Sequence, residues 1–391
     1  MPQTCAAVRV VTGADYCRRC LVDGSGPLVV KIGSSILIGE DGAARVEFMH
    51  RLAGALASRP GPVVVVSSGA IALGRMTLGL LARPTSLAEA QATAAVGQIQ
   101  LAQCWAQSWA AHRRIAAQVL LTLGDLEDRA RYLNARDTIE TLLARNVVPI
   151  INENDTVATG EIRFGDNDRL AARVAQLVGA EMLMLLSDVD GLYDADPETS
   201  PAAKLIPTVE VIDADIERLA GSAGSTGFGT GGMVSKLAAA RIATAAGCPV
   251  LLTSGLGDSN PIERYLEGGR GTVFQAVSQP AVRRKQWLRS LQQHEGVLRL
   301  DAGACRALEQ GASLLAIGIT GVEGRFQRGA LVELIGPNGP IGQGLSGYDS
   351  TDLDRVKGIR SDRFLSILGY SGRGAAIHRD DLVLHNPSTS A

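Results

Sequence analysis

Six short apolar runs punctuate residues 27–275, and each is separated from the next by a stretch with helical spacing. They are LVVKIG (28–33), PVVVVSS (62–68), IAAQVLLT (115–122), VVPIIN (147–152), EMLMLLSD (181–188) and CPVLLTSG (248–255), with helical patterns at 87–112, 128–145, 166–179 and 233–246 among the intervals. Parallel strands need long crossover connections, and helices supply them. The alternation therefore predicts an α/β chain with an open, mainly parallel sheet sandwiched by helices.

The fourth run also carries chemistry. VVPII reads as a buried strand, and eight Asn, Asp or Glu residues follow within the seventeen positions 152–168. In open α/β sheets ligands bind beyond the carboxyl ends of strands, which puts Asn152, Glu153, Asn154 and Asp155 where a small polar molecule would be held. A second cluster, Gly165 to Asp168, opens a helical pattern whose first backbone N–H groups accept acidic partners. For either cluster alone, a solvated loop with an N-cap is an equal reading.

Charge narrows the function further. The chain has a net charge of -2 at 46% hydrophobic and 20% charged residues, which argues against a general nucleic-acid binder. No apolar run approaches the ~20 residues that span a bilayer, and Arg9 breaks the early apolar patch, so the expected location is the cytoplasm. Of 38 basic residues only five are lysines: Lys31, Lys204, Lys236, Lys285 and Lys357. Lys31 and Lys236 stand beside glycine-containing turns, where a compact point charge rather than a guanidinium fork is the residue retained. The six cysteines are spread through a long chain, which suggests reduced thiols. Cys17 and Cys20 have metal-ligand spacing without a second pair, so residues 1–26 read as a loose, disordered extension rather than a zinc site, and no metal ligand is assigned.

Residues 227–232 satisfy the letter of GxGxxG, yet the loop comes late, follows a polar stretch, and the next strand ends in Thr253 and Ser254 rather than an acidic residue. There is no Gly-Lys dipeptide, so it is not a P-loop either. What remains is a loop of small residues opening a helix, with Lys236 on the first turn, an arrangement that favours an anion. Lys31 to Ser35 and Ser67 to Ala70 offer further turns of small or hydroxylic residues at strand ends. Residues 378–380 echo a kinase catalytic loop but lack its companions, and read as a turn and strand start.

Residues 279–293 form a basic break that reads as a linker, so the first domain spans 27–278. Short strands with glycine turns follow over 294–386, as in a small β-barrel-like domain. Its 10 basic residues against 11 acidic ones over 294–391 lack the footprint of an independent RNA binder.

Together these stretches resemble the glutamate 5-kinase family: an amino-acid kinase domain followed by a PUA domain. The likeness rests on KIGSS (31–35), SSGAIALG (67–74), LNARDTI (133–139), INENDTVA (151–158), FGDNDRLAA (164–172), SDVDGLY (187–193) and GTGGMVSK (229–236), and runs from about Leu28 to Leu384. It implies transfer of the ATP γ-phosphoryl group, with Mg²⁺, to the side-chain carboxylate of L-glutamate as the first step of proline biosynthesis. By the same carry-over Lys31 and Lys236 are catalytic, with Asp168 holding them in place. Ser68, Asp155 and Asn167 would bind glutamate. Lys31, Ser187, Asp188 and the run Thr230, Gly231, Gly232, Met233, Val234, Ser235 and Lys236 would line the ATP site. Expected partners are proline as feedback inhibitor, a separate glutamyl-phosphate reductase and further copies of the chain. Arg163 departs from the lysine that some members carry. The rival readings are a kinase of N-acetylglutamate or aspartate, and a regulatory or RNA-binding protein that only senses glutamate or proline.

Overall fold

The computed structural model describes residues 13–80, 82, 84–158, 166–197, 199–222, 232–276, 285, 288–289, 291, 293–370 and 374–385. Its contacts divide the chain into two units, one of residues 1–123 with 138–280 and one of 124–137 with 281–391.

All six apolar runs are strands of one sheet: β1 (Leu28–Ile32), β2 (Val63–Ser67), β3 (Ile115–Leu121), β4 (Val147–Glu153), β5 (Met182–Ser187) and β9 (Val250–Ser254). The sheet runs β3-β4-β2-β1-β5-β9-β10-β8, with β8 (Thr208–Val209) and β10 (Thr272–Phe274) completing one side. Only β10 against β9 is antiparallel. A separate hairpin pairs β6 (Leu192–Tyr193) with β7 (Leu205–Ile206). β1, β2 and β5 are buried along their whole length, as strands covered on both faces must be.

Strand alternation divides β1 between two environments. Leu28, Val30 and Ile32 join a core with Val63, Val65, Met182, Met184 and Trp105. Val29 and Lys31 point to the opposite face, and helix Asp166–Val178 packs along β1. A lysine in the middle of a central strand is costly unless something there pairs with its charge.

The amino-terminal reading needs correction. Residues Gly13–Val22 form a helix whose Cys17, Cys20 and Leu21 are buried in that same core. Arg59, itself buried, donates from Nε to the Cys20 carbonyl at 2.7 Å and pairs with Glu181 at 3.0 Å, and Arg18 lies over the Tyr265 ring. The sequence missed this because the helix is held by partners far away in the chain. Burial pushes the Cys17 thiol up to about 12, so it packs as a small apolar group.

Two helices, Ala70–Thr77 and Leu87–Ala110, meet through glycines. A Cβ on Gly97 would lie 1.9 Å from the Ala70 carbonyl oxygen, so no larger residue fits there. Gly69, at φ 106, turns the chain from β2 into the first of them.

In the second unit the sheet order is β12-β11-β13-β14-β15, formed by Ile319–Glu323, Gly296–Leu300, Leu331–Gly336, Gly339–Leu345 and Leu382–Leu384. The β11–β13 pair is parallel and the rest antiparallel. Leu288, inside the expected linker, is fully buried against Leu331, Leu345 and Val383, so this part of the segment belongs to the unit's core. Gln343 Nε2 donates to the Leu288 carbonyl at 2.6 Å. The unit also takes in residues 124–137: Arg136 places both guanidinium ends on the Asp381 carboxylate, and Arg328 pairs with Asp137 at 2.6 Å.

Candidate functional site

The charge that β1 buries is answered from a helix start. Lys31 Nζ lies 2.5 Å from Asp168 Oδ1, with the two side chains 8% and 0% exposed. Asp168 is the third residue of helix Asp166–Val178, and the helix Met233–Ala245 packs beside it. That second helix brings Ser235, whose hydroxyl donates to Asp168 Oδ2 at 2.7 Å, and the buried Lys236.

Burial is the strongest single influence on Asp168 and opposes ionisation. The Lys31 and Lys236 charges and the hydrogen bonds from Lys31 and Ser235 together outweigh it and hold the carboxyl below its usual range. For Lys236 burial is again the largest influence and lowers the pKa. Lys31 lowers it further, while Asp168 and Asp188 oppose the shift. Lys31 and Lys236 thus both act on Asp168, and Asp188 acts on Lys236 as well, so charges of both signs gather at this end of the sheet.

The other expected residues lie at the carboxyl ends of strands. Ser68 follows β2, and its N–H donates to the Ile32 carbonyl at 3.2 Å, joining the ends of β1 and β2. Asp155 sits in the turn after β4, where Asn154 N–H donates to the Leu121 carbonyl at 3.0 Å and Thr156 to Asn154 Oδ1 at 2.7 Å. Asn167 Oδ1 is buried and makes no hydrogen bond. A buried amide oxygen left without a donor is costly, so it is an acceptor available to a bound molecule. Ser187, buried at the end of β5, donates to the exposed Asp188 at 2.8 Å. Gly232 caps the helix that Met233 and Val234 begin, and Val234 is exposed. Thr230, Gly231 and Arg163 lie outside the described residues, as does most of the loop 227–232.

Sequence reasoning overlooked the groups that brace this edge. Asn152 Nδ2 donates to Gln98 Oε1 at 2.6 Å, and Trp105 Nε1 to Ser67 Oγ at 2.9 Å, both from helix Leu87–Ala110. A Gln and a Trp inside a helical pattern carry no signal that they point at strand ends. Beyond β5, Tyr193 donates to Asp190 Oδ1 at 2.9 Å and accepts from Arg270 at 3.3 Å. Among the described residues no helix is long and apolar enough to cross a membrane.

The sequence pattern of the amino acid kinase family matches residues 26–254, and that of the PUA domain matches 296–368. A glutamate 5-kinase of Nitrobacter hamburgensis is 50% identical over 369 residues, covering 93% of this chain and 97% of that protein. One from Paramagnetospirillum magneticum is 51% identical over 362 residues, covering 91% and 97%. Likeness at that level over nearly the whole of both chains shows the relationship: this chain belongs to the glutamate 5-kinase family, amino acid kinases that carry a PUA domain.

Proposed function

We propose that this chain transfers the γ-phosphoryl group of ATP to the side-chain carboxylate of L-glutamate, giving L-glutamyl 5-phosphate, in the cytoplasm. The observation that carries the reading, within the family, is the Lys31–Asp168 pair with Lys236 beside it at one end of the sheet.

The chemistry sets what such a site has to do. The attacking carboxylate is already ionised at neutral pH, so no general base is needed. The barrier lies in bringing an anion against a triphosphate, and positioning with charge neutralisation lowers it. In this reading Lys31 and Lys236 take the charge of the transferring group from two sides, while Asp168 holds the lysines in place. Ser187, Asp188 and the run of residues from Thr230 to Lys236 receive the nucleotide. Bound with the nucleotide, Mg²⁺ would supply further positive charge at the phosphates.

Ser68, Asp155 and Asn167 hold glutamate, with the Asp155 carboxylate facing its ammonium group and Asn167 Oδ1 accepting a further hydrogen bond. Proline has the same α-carboxylate and a cationic amine, so the pathway's end product competes at the same loop. Asp155→Asn then weakens glutamate binding about ten- to a hundredfold, the loss expected for a charge-assisted hydrogen bond, and weakens proline inhibition in parallel. Unchanged proline inhibition alongside lost glutamate affinity would put proline elsewhere. The product is an activated acyl phosphate, so a separate reductase is the partner that consumes it, and the working form is a homo-oligomer.

The deciding experiment incubates the protein with ATP, glutamate and hydroxylamine, which traps the acyl phosphate as a hydroxamate. Glutamate-dependent hydroxamate is expected. Product with N-acetylglutamate or aspartate instead would reassign the substrate, and none with any of the three would remove the reading.

A further inference from the structure

Helix Leu87–Ala110 meets both segments that hold glutamate in the proposed function, and it does so with adjacent residues. Gly97 packs against the turn after Ser68: a Cβ there would lie 1.9 Å from the Ala70 carbonyl oxygen. Gln98, the next residue, reaches Asn152 at the end of β4, on the strand that leads into Asp155. Two turns back on the same helix face, Gln91 Nε2 donates to the Ala158 carbonyl at 3.0 Å, so the helix holds both ends of the loop 152–158. The hydrogen bonds fix which atom each amide presents. The Glu153 N–H can only donate, and it lies 2.9 Å from Asn152, so it takes Oδ1. Asn152 Nδ2 is thereby turned towards Gln98, where it finds the acceptor Oε1 at 2.6 Å. Gln98 keeps its amide NH₂, two donors that no described residue accepts. The side chain is only half-buried, so that group is open to an incoming molecule.

We infer that Gln98 is a substrate-binding residue whose Nε2 donates to the α-carboxylate of glutamate. The inference rests on the function proposed above and deepens it. There Asp155 answers the ammonium group and the γ-carboxylate goes to the phosphoryl group, which leaves an α-carboxylate in need of a donor of its own. Gln98 stands between the Ser68 turn and the loop that carries Asp155, and the Glu153 N–H, acting through Asn152, sets its amide so that a donor and not an acceptor is on offer. The site then selects for a free α-carboxylate, because a neutral group in its place forfeits the charge-assisted bond.

The test uses Gln98→Glu, which keeps an acceptor for Asn152 Nδ2 and removes only the NH₂ group. KM for glutamate should rise about ten- to a hundredfold, the loss expected for a hydrogen bond to a charged group, with KM for ATP unchanged. L-isoglutamine keeps the amine and the γ-carboxylate but carries a carboxamide in place of the α-carboxylate. It should lose far less, so the preference for glutamate over isoglutamine, read as a ratio of kcat/KM, should collapse in the variant. Gln98→Met removes the donor together with the brace on Asn152, and should collapse the same ratio; if Gln98→Glu fails to fold, that ratio in Gln98→Met decides. An unchanged KM for glutamate in Gln98→Glu overturns the inference. So does an equal loss with both substrates, which would make Gln98 a brace for the loop only. If the unsubstituted chain forms no hydroxamate from glutamate, the proposed function falls and this assignment with it, an outcome distinct from an active chain whose KM ignores Gln98.

Discussion

Among the described residues each unit holds a close ion pair with both side chains buried, and the two are built to opposite ends. In the second unit Arg136 meets Asp381 with both guanidinium ends on both carboxylate oxygens, and the side chains are 1% and 2% exposed. In the first unit Lys31 meets Asp168 through a single contact, at 8% and 0% exposure, and a second lysine stands near. A planar fork meets both carboxylate oxygens at once, which fixes the geometry of both partners. A point charge on one oxygen leaves the other to a different group, here the Ser235 hydroxyl, and a second lysine acts on the same carboxylate. Burial alone does not separate a structural pair from a functional one; the donor count does.

Breaking the forked pair should give the largest effect. Arg136→Met takes the forked partner from Asp381, which is 1% exposed, and removing one member of a buried pair costs about 3–5 kcal/mol of stability. Adding Asp381→Leu should recover most of that, since well-packed apolar groups often replace such pairs without loss. Denaturant unfolding of the single and double variants measures both. If the single variant loses less than about 1 kcal/mol, below what a stranded buried charge costs, water reaches Asp381 and the pair is not the closed structural element described here.

The lysine pair should fail differently. Lys31→Ala and Lys236→Ala should each cut kcat by ~10²–10³, about 2.7–4 kcal/mol of transition-state stabilisation, with a smaller change in KM for glutamate. Replacing Lys31 and Asp168 together with Met and Leu should restore stability as it does for the forked pair, yet leave the chain inactive. Recovery of activity in that double variant would make the two pairs equivalent and end the distinction.

How far the sequence disclosed these two places follows from where their partners lie. Lys31, Asp168 and Lys236 were legible because chemistry in a parallel sheet gathers at strand ends and helix starts, and each of those has a local signature. All six strands carrying that edge were legible for the same reason, through unbroken apolar runs. β8 and β10 were not, being two and three residues long. Arg136 and Asp381 stand 245 residues apart, inside a polar helix and a polar turn, and neither segment announces a buried partner. The helix Gly13–Val22 was read as a loose tail for a related reason: what fixes it is Arg59, Glu181 and Tyr265, none of them near it in the chain. Thr230 and Gly231 lie outside the described residues, so the likeness to the family remains what supports them; Arg163, where this chain departs from some members, lies outside them too.

The smallest effect should come from pH, and it sharpens the same contrast because an ammonium titrates where a guanidinium does not. Asp168 has a depressed folded-state pKa. Its contribution to stability is therefore present above the unfolded carboxylate value of about 3.9 and is lost as pH falls through the folded value. Lys236 is also depressed, chiefly by burial, so the unfolded chain holds that proton more tightly. Stability then rises as pH climbs from the folded value towards the unfolded lysine value of about 10.4. Activity runs the other way, because phosphoryl transfer needs the charged form. The alkaline limb of kcat/KM, which reports the free enzyme, should therefore fall below the range of an ordinary lysine. Lys236→Arg should flatten that limb while lowering the rate, since a fork restores charge but not point-charge geometry. An alkaline limb at the ordinary lysine value, unmoved by Lys236→Arg, would mean that Lys236 carries no charge the reaction uses, and the contrast between the two pairs would rest on Lys31 alone.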